Sequence, residues 1–192
     1  MSKKEIILQT ATLLFSKKGF KDTHVAELCD LTGVAKGTIF YHFKNKEGIF
    51  LAILGELKEH IILEFERYMN DNEFKNGLNM IEAAISFYFY LAGSMEDRFL
   101  LLHRHDAYEF AKVNPVCTDH LEAIYNCFVD TFERSIIVGQ KDGSIGDMSA
   151  RKVALIIFSM VDGLVRLNTF KLYHAGTLYD ELIAACRRLL KN

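Results

Sequence analysis

Apolar residues in this chain recur at intervals of three and four and nowhere alternate over a strand-length run, which predicts an almost wholly helical protein. Ser2 to Glu5 reads as a capping box. It opens a helix whose core stripe is Ile7, Ala11, Leu14 and Phe15 and whose end is marked by Lys17, Lys18 and Gly19. Ile49, Ile53, Leu57, Ile61 and Phe65 repeat every four residues, so one long helix is expected from an Asn45 cap to about Asn70. The stretch 75–93 carries Phe87, Tyr88, Phe89 and Tyr90 in succession, which covers every side of a helix and predicts burial on several faces. Ser94 to Asp97 reads as a further cap opening a helix through Lys112, and Asn114-Pro115 breaks the chain before a helix over 116–138. After a glycine-containing polar loop from Gly139 to Gly146, helices over 149–172 and 178–190 complete an expected set of nine.

Between the first and the long helix lie two short ones. Thr23 is placed to cap a helix with Val25, Leu28 and Cys29 inward, and Gly33 to end it in a left-handed turn followed by apolar Val34. A second helix from about Ala35 puts Ile39 and Phe43 on one face, so Lys36, Gly37, Thr38 and Tyr41 must point largely the other way. This is a helix-turn-helix. Its outward face suits duplex DNA: Gly37 lets a backbone approach closely, Lys36 can reach a base acceptor or a phosphate, and Thr38, Tyr41, His42 and Lys46 can hydrogen-bond to phosphate oxygens.

The run Thr-x-Val-x-x-Leu, then Gly33-Val, then Gly37-Thr-Ile-Phe-Tyr-His-Phe-x-x-Lys-Glu47 resembles the DNA-binding region of the TetR/AcrR transcriptional regulators. Ala11-x-x-Leu-Phe-x-x-x-Gly-Phe20 is similar to that family's first helix, and the likeness spans about residues 3 to 65. The resemblance implies an all-α homodimer that reads a palindrome with N-terminal three-helix domains and binds a small inducer in a larger C-terminal helical domain, acting as a repressor. It places Thr23 where the family caps its second helix against a phosphate, Lys36, Gly37 and Thr38 at the start of the recognition helix, and Tyr41, His42 and Lys46 on the DNA backbone. Cys29 and Thr32 stand where the family usually has Ala, and Ala35 where Ser or Thr commonly caps the recognition helix. Ala in that role costs about 1 kcal/mol of helix stability.

Charge supports this division. The net charge is −2, but residues 1–46 hold eight lysines against four acids, +4, and the remainder fifteen basic against twenty-one acidic residues, −6. Only the basic end suits a phosphate backbone, which argues against a nonspecific nucleoid-binding protein. The expected domains are therefore 1–46 for DNA and 47–192 for ligand binding and dimerisation. No apolar stretch is long enough to span a bilayer and the N-terminus lacks a signal-peptide core, so a cytoplasmic location is expected.

Within 47–192, Phe87, Tyr88, Leu91, His103, Arg104, Tyr108, Tyr125 and Phe128 are the residues expected to line an apolar effector cavity, His103 or Arg104 meeting any polar end of an uncharged or amphipathic ligand. The wide apolar stripe Val153, Ile156, Ile157, Met160, Val161, Leu164 and Val165, with Gly163 permitting close approach and Leu178, Leu182, Ala185, Cys186 and Leu189 on the last helix, predicts a four-helix bundle across a two-fold axis. No metal, cofactor or catalytic group is expected. His103 and His105 diverge by about 200° around a helix, leaving only His103 and Asp106 on one face. Ser149-x-x-Lys152 matches an acylating-enzyme pattern but coincides with a helix start and lacks a nucleophile elbow. The cysteines at 29, 117, 127 and 186 show no metal-ligand spacing and read as small core residues.

Overall fold

The computed structural model describes residues 1–191, which form ten α-helices and one 3-10 segment with no strand among them. The helices are α1 (Lys3–Lys18), α2 (Val25–Thr32), α3 (Lys36–Phe43), α4 (Lys46–Asp71), α5 (Gly77–Ser94), α6 (Glu96–His103), α7 (His105–Ala111), α8 (Pro115–Asp142), α9 (Ala150–Thr169) and α10 (Tyr179–Lys191), with the 3-10 turn at Ala175–Leu178. The capping box at α1 is formed in full, Ser2 Oγ accepting from Glu5 N and Glu5 Oε2 from Ser2 N. The long helix starts as its cap implies, with Asn45 Oδ1 accepting from Gly48 N at 2.7 Å.

Two expectations about elements need correction. The helix expected to run through Lys112 breaks at Arg104, whose backbone is extended (φ −69°, ψ 146°). Nothing in the local pattern forbids a helix there, and the break goes with contacts made far along the chain, since the Arg104 guanidinium donates to Ser16 O at 3.0 Å. Ser94 does not cap α6 either. It is the last residue of α5, donates to Leu91 O, and leaves Met95 as the N-cap.

The described residues divide into two compact units, Met1–His60 with Met95–Glu122 and Ile61–Ser94 with Ala123–Asn192. This partition differs from the expected boundary after residue 46, because α6, α7 and the start of α8 pack with the N-terminal helices. In the first unit Phe15, Phe20, Phe50 and Phe110 form a ring cluster with centroids 5.3 to 6.0 Å apart. Around it Ile7, Ala11, Leu28, Ile39, Ile49, Leu54, Leu57, Phe99 and Leu102 are fully or almost fully buried. Burial of such side chains is worth roughly 1.5–3 kcal/mol each.

The second unit is built on another aromatic cluster. Phe65 lies edge-on to Phe87 and Phe128 (5.0 and 5.1 Å), Tyr88 packs on Phe128 at 4.2 Å, and Phe158 stacks behind them. The aromatic run of α5 is not buried on every side, because Tyr90 remains 65% exposed while Tyr88 is fully covered. Gly77 and Gly139 let α5 and α8 touch backbone to backbone: a Cβ at Gly77 would lie 2.0 Å from Gly139 N. Bidentate pairing of Arg187 with Glu82 and the Ser86–Tyr179 hydroxyl contact tie α10 to α5.

The expected dimer stripe also needs revision. Ile157, Val161, Val165 and Leu182 are buried in their own unit, Leu164 and Leu189 are half-buried, and of the expected set Ile156 and Leu178 are exposed. The helix turns its widest apolar side inward because one protomer already has a core to fill there. What remains outside on α9 is Leu155 and Ile156, 45% and 49% exposed, with Gly163 open to solvent on its Cα side.

Candidate functional site

The helix-turn-helix forms from its sequence with one change at its start. Gly33 adopts φ 67°, ψ 11° and its N–H donates to Cys29 O, the left-handed stop that a Cβ would strain. Thr32 reinforces the turn, donating to Leu28 O and accepting from Val34 N. Ile39 and Phe43 are buried, so α3 has one fixed inward face. The opposite face presents Lys36, Gly37, Tyr41 and His42 exposed and Thr38 half-exposed, Tyr41 at 85% being among the most exposed apolar rings of the chain. Lys36 Nζ lies 5.6 Å from the Phe40 ring centroid. Ala35 precedes α3 in extended conformation without a side-chain cap, as expected for a residue lacking an acceptor.

Thr23 and Lys46 face elsewhere than the sequence suggests. His24, not Thr23, is the N-cap of α2, and Thr23 is fully buried with its hydroxyl donating to Gly19 O at 2.8 Å. Lys46 turns inward. Its ammonium donates to Phe20 O at 2.7 Å and Thr23 O at 3.0 Å, reaches Lys21 O at 3.4 Å, and lies 4.4 Å above the Phe20 ring. A cation held by carbonyls and a ring face has few donors left for phosphate.

The exposed cation at the exit of α3 is instead Lys44, absent from the expected set. It has φ 64°, ψ −49°, with Asn45 N donating back to Phe43 O at 2.7 Å, a γ-turn of the rare positive-φ form. Glycine at 48 makes room for the turn, because a Cβ there would sit 1.9 Å from Phe43 O. Strain of this kind costs about 1–3 kcal/mol and gathers at functional sites. A basic residue one step beyond a Tyr-His-Phe helix end was legible in sequence; which of the two lysines would be free was not.

The residues expected to line an effector cavity are divided between the units: His103, Arg104 and Tyr108 in the first, Phe87, Tyr88, Leu91, Tyr125 and Phe128 in the second. Arg104 is engaged with Ser16 O and the Asp106 carboxylate, so it is not a free end-group for a ligand, and His103 is buried at the end of α6. Asp106 accepts from Phe20 N at 3.0 Å and lies in α7, so His103 at the end of α6 and Asp106 do not share one helix face as the spacing suggested. In the second unit Tyr88 is fully buried and its hydroxyl donates to Asp162 at 2.6 Å. Phe87 stacks on Tyr68 at 4.1 Å.

A cleft of about 350 Å³ opens in that same unit between α4 and α8. Ile62, Phe65, Ala123, Cys127 and Thr131 form its floor and Glu66, Asn126, Asp130 and Arg134 its rim. Burial, then the nearby Glu66 and Asp130 carboxylates, push the Cys127 thiol up to about 12, so it lines the cleft as an unreactive neutral group. None of the expected ligand residues lines this cleft, though Phe87 and Phe128 stand directly behind Phe65. Ser149 and Lys152 are both exposed in the first turn of α9.

Residues 7–53 match the sequence profile of bacterial regulatory proteins of the tetR family. The HTH-type transcriptional repressor BepR of Brucella suis is 26% identical over 191 residues, covering 96% of this chain and 87% of BepR. A bacterial regulatory protein in the tetR family from Rhodococcus RHA1 superposes with a TM-score of 0.80 at 17% identity, over 100% of this chain and 98% of that one. The regulator FadR of Bacillus subtilis in complex with stearoyl-CoA gives 0.75 at 19% identity, over 95% and 96%.

Three substitutions separate the roles on and behind this face. A Cβ at Gly37 would meet nothing within 4 Å, so the protein's own packing does not require glycine there. Gly37→Ala should therefore raise helix stability by about 0.5–1 kcal/mol, seen as a higher melting temperature, while weakening duplex binding at least tenfold if DNA approaches that Cα. Equal or tighter DNA binding would show that nothing comes close. Lys44→Ala should weaken all duplexes alike and flatten the salt dependence by about one unit, whereas Lys46→Ala should lower the melting temperature because it strips three carbonyls of their donor. Anisotropy titrations at several salt concentrations and thermal melts distinguish the two.

Proposed function

The chain is a TetR-family, DNA-binding transcriptional regulator, and from that premise we propose that it is a dimeric repressor released from a palindromic operator by a hydrophobic small molecule in the cytoplasm, with no catalytic activity. The observation that carries the reading is α3: an eight-residue helix anchored by Ile39 and Phe43 and exposing Lys36, Gly37, Thr38, Tyr41 and His42 at the basic end of an otherwise acidic chain. The proposed backbone contacts are Tyr41, His42 and the strained Lys44. Thr23 and Lys46 support the motif from beneath.

The effector is proposed to occupy the cleft on Ile62, Phe65, Ala123, Cys127 and Thr131, with displacement of Phe65 giving it access to Phe87, Tyr88 and Phe128. An apolar floor and charged rim suit an amphipathic molecule with an apolar body, and Arg134 replaces Arg104 as the group that meets a polar end. The stearoyl-CoA bound to the similarly folded FadR is an amphipath of this general kind. Because Ile62, Phe65 and Glu66 belong to α4, and α4 begins at Lys46 beneath the helix-turn-helix, a ligand that shifts α4 alters how the reading helices are presented. Two copies on successive major grooves must hold them about 34–36 Å apart.

Ligand and operator should thus oppose each other. A thermal-shift screen of fatty acyl and other amphipathic compounds, followed by operator titrations with and without each hit, should find at least one compound that weakens operator binding by about 1–3 kcal/mol, with operator weakening that compound equally. Saturating ligands that all leave operator affinity unchanged would overturn ligand control.

Dimerisation is proposed through the exposed side of α9, Leu155, Ile156 and Gly163, with Leu178 at the end of the 3-10 turn before α10. Ile156→Glu should leave the melt cooperative but shift sedimentation from dimer to monomer, because a carboxylate would be buried unpaired at the interface. An unchanged dimer would move the interface elsewhere. Leu182→Glu, in contrast, should unfold the second unit, since Leu182 is only 6% exposed.

A further inference from the structure

The turn that joins α1 to α2, residues 19–24, is gripped from two sides. From α4 comes Lys46, whose ammonium binds Phe20 O and Thr23 O. From the α6–α7 break come three contacts that no local sequence signal announces. The Asp106 carboxylate accepts from Phe20 N at 3.0 Å, the Arg104 guanidinium donates to Ser16 O at 3.0 Å and lies 3.5 Å from Asp106, and the Phe110 ring stacks on Phe20 with centroids 6.0 Å apart. Asp97 adds a hydrogen bond from Ser16 Oγ at 3.3 Å. Gly19 leaves the room these side chains occupy: a Cβ there would lie 2.9 Å from Arg104 Nη2 and 3.0 Å from Asp106 Oδ2, and its φ of 93° already disfavours other residues.

We infer that Arg104, Asp106 and Phe110 form a clasp that orients the DNA-reading helices, making them positioning residues for operator recognition although none reaches the DNA face. Two features of the clasp point to positioning beyond bulk stability. It grips backbone groups on either side of the end of α1, the C=O of Ser16 in the helix's last turn and the N–H of Phe20 in the turn beyond, so it fixes the direction in which the chain leaves α1 for α2. It is also polar and charged at a place where the neighbouring cluster of Phe15, Phe20 and Phe50 already supplies apolar burial. Charge-assisted hydrogen bonds are directional where apolar contact is not. The extended backbone at Arg104 belongs to the same device, because an unbroken helix from 96 to 112 would carry residues 104 and 106 about 200° apart, too far around to grip one turn.

The inference rests on the dimeric operator-binding reading above, and its test separates the two. Duplexes are selected from a random pool with the full-length protein, and the selected palindrome is then lengthened or shortened by one base pair at its centre. The native protein should lose at least tenfold in affinity on either change. Asp106→Asn and Arg104→Gln should bind the selected duplex within about threefold of the native protein, yet lose no more than about threefold on the shifted duplexes, because loosened reading helices accommodate a range of spacings. Phe110→Leu, which keeps apolar volume, is read by the same criterion should either polar variant fail to fold. Variants that retain the native spacing penalty, whether or not overall affinity falls, overturn the clasp. A native protein indifferent to spacing overturns the dimeric reading and the clasp with it.

Discussion

A single ammonium group organises the DNA-reading end of this molecule. Lys46 stands at the first residue of α4 and donates to carbonyls of the turn between α1 and α2 while lying over the Phe20 ring. Those carbonyls belong to a non-helical segment with no ladder or helix to satisfy them, and leaving one buried and unpaired costs about 1–3 kcal/mol. Satisfying them from α4 fixes α1, α2 and α4 together, and α3 then has one place to go, with Ile39 and Phe43 inward. The exposed face of α3 is thus a consequence of packing behind it.

The same arrangement sets which lysine is free. With Lys46 committed, the cation available at the end of α3 is Lys44, in a positive-φ turn that Gly48 leaves room for beside Phe43 O. A residue type that rarely adopts this conformation is kept at the end of the exposed helix, a local conflict of the kind that marks functional positions. Gly37 is the complementary case, a helix-weakening residue with no internal packing reason.

The second unit follows different physics. Its centre is aromatic, Phe65, Phe87, Tyr88, Phe128 and Phe158, with the Tyr88 hydroxyl satisfied by Asp162. Close-packed rings tolerate little intrusion, so the open volume lies at the edge of the cluster, over Phe65 between α4 and α8. Phe65 is the ring that the cleft and the cluster share.

Most of the fold was legible in sequence because its signals are local. The Ser2 capping box, the Gly33 stop, the Asn45 cap and the three-and-four spacing of Ile49 to Phe65 each depend on residues within one or two turns, and all formed as read. The outward set Lys36, Gly37, Thr38 and Tyr41 followed from two inward residues four apart. What required the tertiary structure was every choice between equivalent local options. Thr23 gave its hydroxyl to Gly19 O and left the N-cap of α2 to His24, carbonyls of the α1–α2 turn claimed Lys46 and left Lys44 in solvent, and the core of the second unit took Ile157 from the α9 stripe and left Ile156 outside. The break at Arg104 is the clearest instance, since helix propensity alone would carry the chain straight through, and only the carbonyl of Ser16, 88 residues earlier, gives the guanidinium a reason to turn away.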